Sequence, residues 1–286
     1  RGAPGAGGAQ GTDVKRPSAG VSNRGKSPAT HAPTTGARQV NSAYHARVAF
    51  PRELGNSTSR QLQNSSPALV VPVGSTEQHG PHLPLDTDTR IATAVADALV
   101  GLLRERTADP WMVAPAIGYG ASGEHEGFPG TVSIGTPALA ELLVEFARSA
   151  CQWASRLVFV NGHGGNVEAL RRAVGLLRYE GRDAAWCSCV AARSDAHAGH
   201  TETSVLLHIS PHVVRDDLRM AGNVSPLTEL MPQLRRGGVA AVSSLGILGD
   251  PTTATAEEGG RIFAEMLDAC LGRVTRWVPD REGMLM

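Results

Sequence analysis

The chain has 286 residues and carries 27 Lys+Arg against 27 Asp+Glu. That balance leaves no electrostatic footprint for nucleic acid or an anionic membrane, and no run of eighteen apolar residues predicts a spanning helix. The four cysteines form no C-x-x-C pair and read as small buried core residues in a reducing cytoplasm.

Residues 1–40 are rich in Gly, Ala, Pro, Ser and Thr and have almost no large apolar side chain. Such a segment buries too little surface to offset its ordering entropy, and it has no apolar signal-peptide run. It reads as a disordered extension, or an upstream translation artefact, ahead of a single domain over 41–286. A short helix or loop is expected over 41–64, then a strand at 68–73. Residues 88–106 place Ile91, Val95, Ala98, Leu99 and Leu102 at helical spacing, with Asp86 or Asp88 as the cap. A strand is expected at 111–117, a long glycine-rich loop over 118–135, and a helix over 136–154 with Pro137 in its first turn. Further strands are predicted at 157–160 and 184–190, with a helix at 167–180 between them. Cys187 and Cys189 would share one face of the last strand. An apolar helix through Ile209 follows. Residues 211–249 read as loop-rich with one strand at 239–243, and a helix at 256–271 closes the chain. Strands that alternate with helices predict an α/β fold: a three-layer sandwich with a mostly parallel sheet flanked by helices.

The densest chemistry lies in Gly74-Ser75-Thr76-Glu77-Gln78-His79-Gly80-Pro81-His82-Leu83-Pro84-Leu85-Asp86-Thr87-Asp88. A buried strand that opens into carboxylates and imidazoles is how α/β folds present a site. The donor set suits a hydrolytic divalent metal rather than a thiolate centre. Glu77 and His79, two apart, point the same way in extended backbone, and Asp88 folds back from the next helix. His163 follows the third strand between glycines that let a ligand approach. Glu202 precedes an apolar helix; alone it would be a first-turn carboxylate complementing the helix dipole. His197 has no capping task and suits proton transfer near neutral pH. His82, His125 and His200 are weaker candidates, while His208 and His212 read as structural. Gly162-His163-Gly164-Gly165 matches neither G-x-G-x-x-G nor the P-loop, and Ser75 lies outside any G-x-S-x-G elbow.

Five blocks together resemble the creatininase family of metal-dependent amidohydrolases. They are the 74–88 segment, Gly-Glu-His-Glu-Gly-Phe-Pro-Gly-Thr (123–131), Asn-Gly-His-Gly-Gly-Asn (161–166), His-Ala-Gly-His-Thr-Glu-Thr-Ser (197–204) and Gly-Asp-Pro (249–251). The resemblance implies Glu77, His79, Asp88, His163 and Glu202 as ligands of two divalent ions (Zn, Fe(II) or Mn), with Asp88 bridging. It makes Asp86 and His82 supporting or structural groups. His197 is the expected proton donor to the leaving nitrogen, and Glu124, His125 and Glu126 are expected to line or close the substrate pocket. Creatinine-hydrolysing members carry a carboxylate two residues after the third-strand histidine; here that place is Gly165. From Tyr44-His45-Ala46-Arg47 onward the chain is similar to a peptide-processing branch. That branch trims a modified precursor peptide to release an altered C-terminal Val-Tyr unit for a redox cofactor. The resemblance therefore implies a cytoplasmic homo-oligomeric peptidase. A small cyclic-amide hydrolase is the alternative, and a non-catalytic scaffold is disfavoured by the full ligand set.

Overall fold

A computed structural model describes residues 51–192 and 194–286, which belong to one compact unit, Val48–Met286. The expected extension over 1–40, and the start of the lead-in after it, lie outside the described residues. In chain order the regular elements are α1 (Ser59–Leu62), β1 (Ala68–Val73), α2 (Thr87–Arg106), β2 (Trp111–Val113), α3 (Gly135–Ala150), β3 (Arg156–Asn161), α4 (Val167–Tyr179), β4 (Ala184–Ser188), α5 (His200–Ile209), α6 (Leu227–Gly237) and α7 (Ala256–Arg276). The four strands pair in the order β2-β1-β3-β4, and every pair is parallel.

Period-two alternation divides each strand between two cores. Ala68 and Val70, Val158 and Val160, Ala185 and Cys187 face one apolar cluster with α2, α5 and α7. Leu69, Val71, Val73, Leu157, Phe159 and Trp186 face the other, with α3 and α4. The result is the expected α/β three-layer sandwich. The helices reach the sheet through rows at helical spacing: Ile91, Val95, Leu99 and Leu103 on α2, and Leu170, Ala173, Val174 and Leu177 on α4 are buried. Phe159 is fully buried mid-sheet, so truncation to Ala would cost about 3–5 kcal/mol. Cys187, Cys189 and Cys270 are buried and free, as expected, and Cys151 is half-buried.

Element boundaries differ from expectation for identifiable reasons. β2 stops at Val113 because Pro115 has no N–H for the ladder; Ile117 re-engages through one bridge to Val73. Asp86 stands at the N-cap of α2, yet its carboxylate accepts from Arg90 Nε (2.7 Å), and Asp88 turns into the interior, so neither caps the helix through its side chain. The expected strand at 239–243 is a 3-10 turn, Val239–Ala241, and the preceding loop-rich stretch contains α6. Pro232 inside α6 hides that helix from propensity. The helix stands because Leu230 anchors it in a small cluster with Val239 and Leu248.

The topology places the chemistry. From β1 the chain crosses by α2 to β2, and from β3 it crosses by α4, on the opposite face, to β4. Between the carboxyl ends of β1 and β3 lies a switch point, the crevice where open α/β sheets bind ligands. Val73 and Asn161 are in register there, so the loops after β1 and β3 emerge side by side.

Candidate metal centre

Close backbone approach builds the crevice. A Cβ on Gly162 would stand 2.6 Å from the Asp88 carbonyl, and one on Gly74 would overlap the Thr89 backbone, so both glycines are needed for the first turn of α2 to reach the strand ends. Two buried asparagines tie the loops together. Asn161 Nδ2 donates to the His163 carbonyl (2.7 Å), and Asn166 Nδ2 donates to the Gly74 carbonyl (2.9 Å). Asn166 Oδ1 accepts from Ala121 N (2.9 Å), which brings in the 118–131 loop. On the far side, Asp195 caps α5 by accepting from His200 N and Thr201 N, and Ala198 N donates to Glu202 Oε2 (2.6 Å).

These contacts gather all five residues expected as ligands. Donor atoms of Glu77, Asp88 and His163 lie within 4.8 Å of one another, and so do those of His79, Asp88 and Glu202. Asp88 is common to both groups. His79 Nε2 stands 3.1 Å from Asp88 Oδ1, and His163 Nδ1 3.2 Å from Asp88 Oδ2. His197 joins a third group with Glu77 and His79, its Nδ1 3.8 Å from Glu77 Oε1. His79 and His197 each have their outer nitrogen on a backbone carbonyl, His79 Nδ1 on Glu77 O (3.1 Å) and His197 Nε2 on Gln78 O (2.8 Å), whereas His163 Nε2 lies 3.2 Å from Ala121 O and 3.3 Å from Glu77 Oε2. A carbonyl only accepts, so in His79 and His197 the outer nitrogen carries a proton and the inner one faces the carboxylates. This is the arrangement that orients metal-ligating histidines.

The electrostatics describe a centre crowded with buried carboxylates. Both carboxylate oxygens of fully buried Glu77 have no hydrogen-bond partner. Burial, with Asp88 beside it, pushes Glu77 up to about 7; burial, with Asp88 again, does the same to Glu202. Burial opposes charge on His79 and His163, but the surrounding carboxylates outweigh it and raise them to about 10 and about 9. Asp88 is likewise penalised by burial, yet His79 and His163 hold it well below the usual carboxylate range. An orphaned buried carboxylate among oriented imidazoles fits a divalent cation: both would gain a partner, and the imidazoles would ligate through neutral nitrogens.

His197 and His125 differ from those two. Burial and neighbouring imidazoles hold His197 well below the ordinary histidine range, and burial with His163 and His79 lowers His125 to about 3. Both are neutral rings, packed 4.3 Å apart between centroids. Gln78 Nε2 donates to His125 Nδ1 (2.9 Å), leaving His125 Nε2 3.3 Å from Glu77 Oε1.

A cavity of about 470 Å³ opens over this cluster. Asp88, His163, His197 and Glu202 are in its wall, joined by Glu124 and His125 from the expected pocket loop. Glu126, one residue past the 3-10 turn Gly123–His125, is exposed and does not line that wall. His82 Nε2 instead contacts Thr203 Oγ1 (2.8 Å), His200 lies by Thr253, and His208 packs on Phe263. Sequence reasoning missed Ser75, whose Oγ donates to Asp88 Oδ2 (2.7 Å), and Gln78. It also missed the contribution of α6 to the cavity. Ser75 was visible as a hydroxyl thirteen residues before Asp88, but nothing in the spacing told a nucleophile from a positioning group.

The creatinine amidohydrolase family model matches residues 53–274. The chain belongs to the creatininase family. Creatininase-family relatives include the mycofactocin precursor peptide peptidase of Mycolicibacterium smegmatis, 68% identical over 249 residues, covering 86% of this chain and all of that protein. The protein of that name from Mycobacterium tuberculosis H37Rv is 64% identical over 250 residues, again covering 86% of this chain and all of the relative. The creatinine amidohydrolase of Pseudomonas putida is more distant, 36% identical over 126 residues, or 40% of this chain and 45% of that one. Among solved structures, a tryptophan-to-phenylalanine mutant creatininase aligns with TM-score 0.65 at 25% identity, covering 80% of this chain and 100% of the other. A manganese creatininase aligns with TM-score 0.64 at 24% identity, covering 80% and 99%. The family fold is therefore that of an amide-bond hydrolase, as the sequence motifs implied.

Proposed function

We propose that this protein is a metal-dependent peptidase that cleaves the modified mycofactocin precursor peptide and releases its C-terminal Val-Tyr-derived unit. The observation that carries the reading is near-full-length similarity to peptidases of that name, joined to a carboxylate–imidazole cluster at the base of a 470 Å³ cavity. Glu77, Asp88 and His163 would hold one divalent ion, and His79, Asp88 and Glu202 would hold a second, with Asp88 common to both donor sets; Zn, Fe(II) and Mn all suit these donors. Ions so held would supply Lewis acidity toward the scissile carbonyl and would lower the pKa of a water.

The chain's own groups perform the rest. Ser75 fixes the Asp88 carboxylate, and the backbone carbonyls of Glu77, Ala121 and Gln78 fix the three imidazole rings. His197, neutral with Nδ1 free toward Glu77, takes a proton from the attacking water at Nδ1 and returns it to the leaving amide nitrogen. Glu124 and His125 line the substrate side of the cavity.

The small cyclic-amide alternative is disfavoured at Gly165. A Cβ there would overlap the Ala121 carbonyl and His163 Nε2 and stand 2.8 Å from Glu124 Oε1, so this backbone has no room for the carboxylate that creatinine hydrolysis uses in the family. A cytoplasmic homo-oligomer completes the reading. Free cysteines support the reducing setting, and exposed Met220 and Val224 support an assembly. Among the described residues no helix is long and apolar enough to cross a membrane. Metal-replete protein incubated with the modified precursor peptide and with creatinine tests the proposal by mass spectrometry. Release of the C-terminal unit with creatinine unchanged is expected; turnover of creatinine alone would reject it.

A further inference from the structure

The cavity has two faces of opposite character. One is the carboxylate–imidazole cluster. The other is α6, which turns Leu227, Met231 and Leu234 into the cavity at spacing i, i+4 and i+7, with Arg235 beside them. Leu230 points instead into the small cluster with Val239 and Leu248, which seats the helix over the site. Met231 and Leu234 are half-buried in the wall, while Leu227 and Arg235 lie exposed at the mouth. Arg235 makes no ion pair among the described residues, although Asp88, Glu124 and Glu202 line the same cavity. An apolar face continuous with a polar reaction centre, with an uncommitted guanidinium at its rim, is suited to a ligand that is apolar at one end and anionic further out.

We propose that α6 is the specificity wall of this enzyme: a bulky apolar C-terminal unit of the peptide packs against Met231 and Leu234, and Arg235 pairs with an acidic side chain where the upstream peptide leaves the cavity. The proposal rests on the peptide-hydrolase reading above and adds the residues that choose the substrate. A small polar amide would leave the α6 face uncovered and Arg235 without a partner. A peptide occupies both while its scissile amide lies over the cluster.

The test uses metal-loaded full-length enzyme, with metal content measured for every variant. Substrates are the modified precursor peptide and two versions of it that carry Asp or Lys at the same positions just upstream of the C-terminal unit. Met231→Glu is expected to lower kcat/KM at least about tenfold, the scale of a lost apolar contact in a pocket, with metal content unchanged. Met231→Leu keeps the volume and stays within about twofold, which separates lost packing from failed folding. Arg235→Glu raises KM about three- to tenfold on the acidic peptide, with kcat held. It also reverses the preference toward the Lys peptide, and both effects fade in high salt. The inference is overturned if wild-type enzyme cleaves the peptide while Met231→Glu and Arg235→Glu match it on all three substrates. Wild-type enzyme that carries metal but leaves every peptide intact would instead overturn the peptidase reading, before any variant is made.

Discussion

The two halves of the carboxylate cluster share Asp88 but differ in setting. Glu77 and His163 form the deep half: Glu77 is fully buried, both its oxygens lack a hydrogen bond, and three imidazoles stand within 3.8 Å of them. His79 and Glu202 form the outer half: the Glu202 side chain is 22% exposed, and its Oε2 already accepts from Ala198 N. A buried carboxylate that accepts no hydrogen bond costs more than one met by an amide and solvent. The deep half therefore depends on a cation for its stability, and the outer half depends on one mainly for chemistry.

Removing the shared residue abolishes the comparison, so Asp88→Asn carries the largest effect. Both ions should be lost by elemental analysis, and kcat/KM should fall about a thousandfold or more, the rate equivalent of several kcal/mol. Retention of one full equivalent of metal would show that the halves do not share Asp88.

His197 asks which half handles the proton, since its free Nδ1 faces Glu77. His197→Ala should keep its metal while single-turnover cleavage slows about a hundredfold or more. Unchanged single-turnover cleavage would remove His197 from the chemistry. Ser75→Ala is milder. It leaves the ligands in place but frees the carboxylate that Ser75 holds, so metal affinity should weaken about ten- to a hundredfold, read by chelator competition.

Stability separates the halves directly. In metal-free protein, Glu77→Gln replaces a fully buried carboxylate whose oxygens accept no hydrogen bond and should raise stability by about 1 kcal/mol, the gain being limited by loss of its ion pair with His163. Glu202→Gln should change the metal-free protein less than Glu77→Gln does, because Glu202 Oε2 already accepts from Ala198 N and its side chain is 22% exposed. Each variant should lose about one equivalent of metal. Denaturant melts with and without chelator check the pair, and equal effects would erase the distinction between deep and outer halves.

The same contrast, deep against peripheral, marks what could be read from sequence. The 74–88 loop was legible because strand, glycine and clustered donors follow one another locally, and its neighbours His163 and Glu202 stand at comparable element ends. The parallel sheet was legible for the same reason: apolar runs such as Leu157–Val160 are interrupted by helical periods. Ser75, Gln78 and α6 were not legible. A serine that orients a carboxylate thirteen residues away has no spacing signature. Gln78 becomes a hub only because Gly246 is brought against its amide from across the fold. Pro232 lowers the helical propensity of α6, and the packing of Leu230 that overrides it is tertiary.

The smallest effect expected comes from His82, which stands behind the outer half on Thr203. Burial, with Arg219 and His79 nearby, lowers it from the ordinary histidine value of 6.5 to about 4. The folded state therefore binds fewer protons than the unfolded chain between those values. The contribution is fully present above pH 6.5 and is lost as pH falls toward 4. His82→Gln keeps a donor for Thr203 but cannot titrate. Its stability should decline less steeply over that window than wild type, by up to about one proton's worth of slope, in metal-loaded protein melted at a series of pH values. Parallel curves would mean that His82 takes up its proton alike in the folded and unfolded chain, and that the ground beneath the outer half is more polar than its packing indicates.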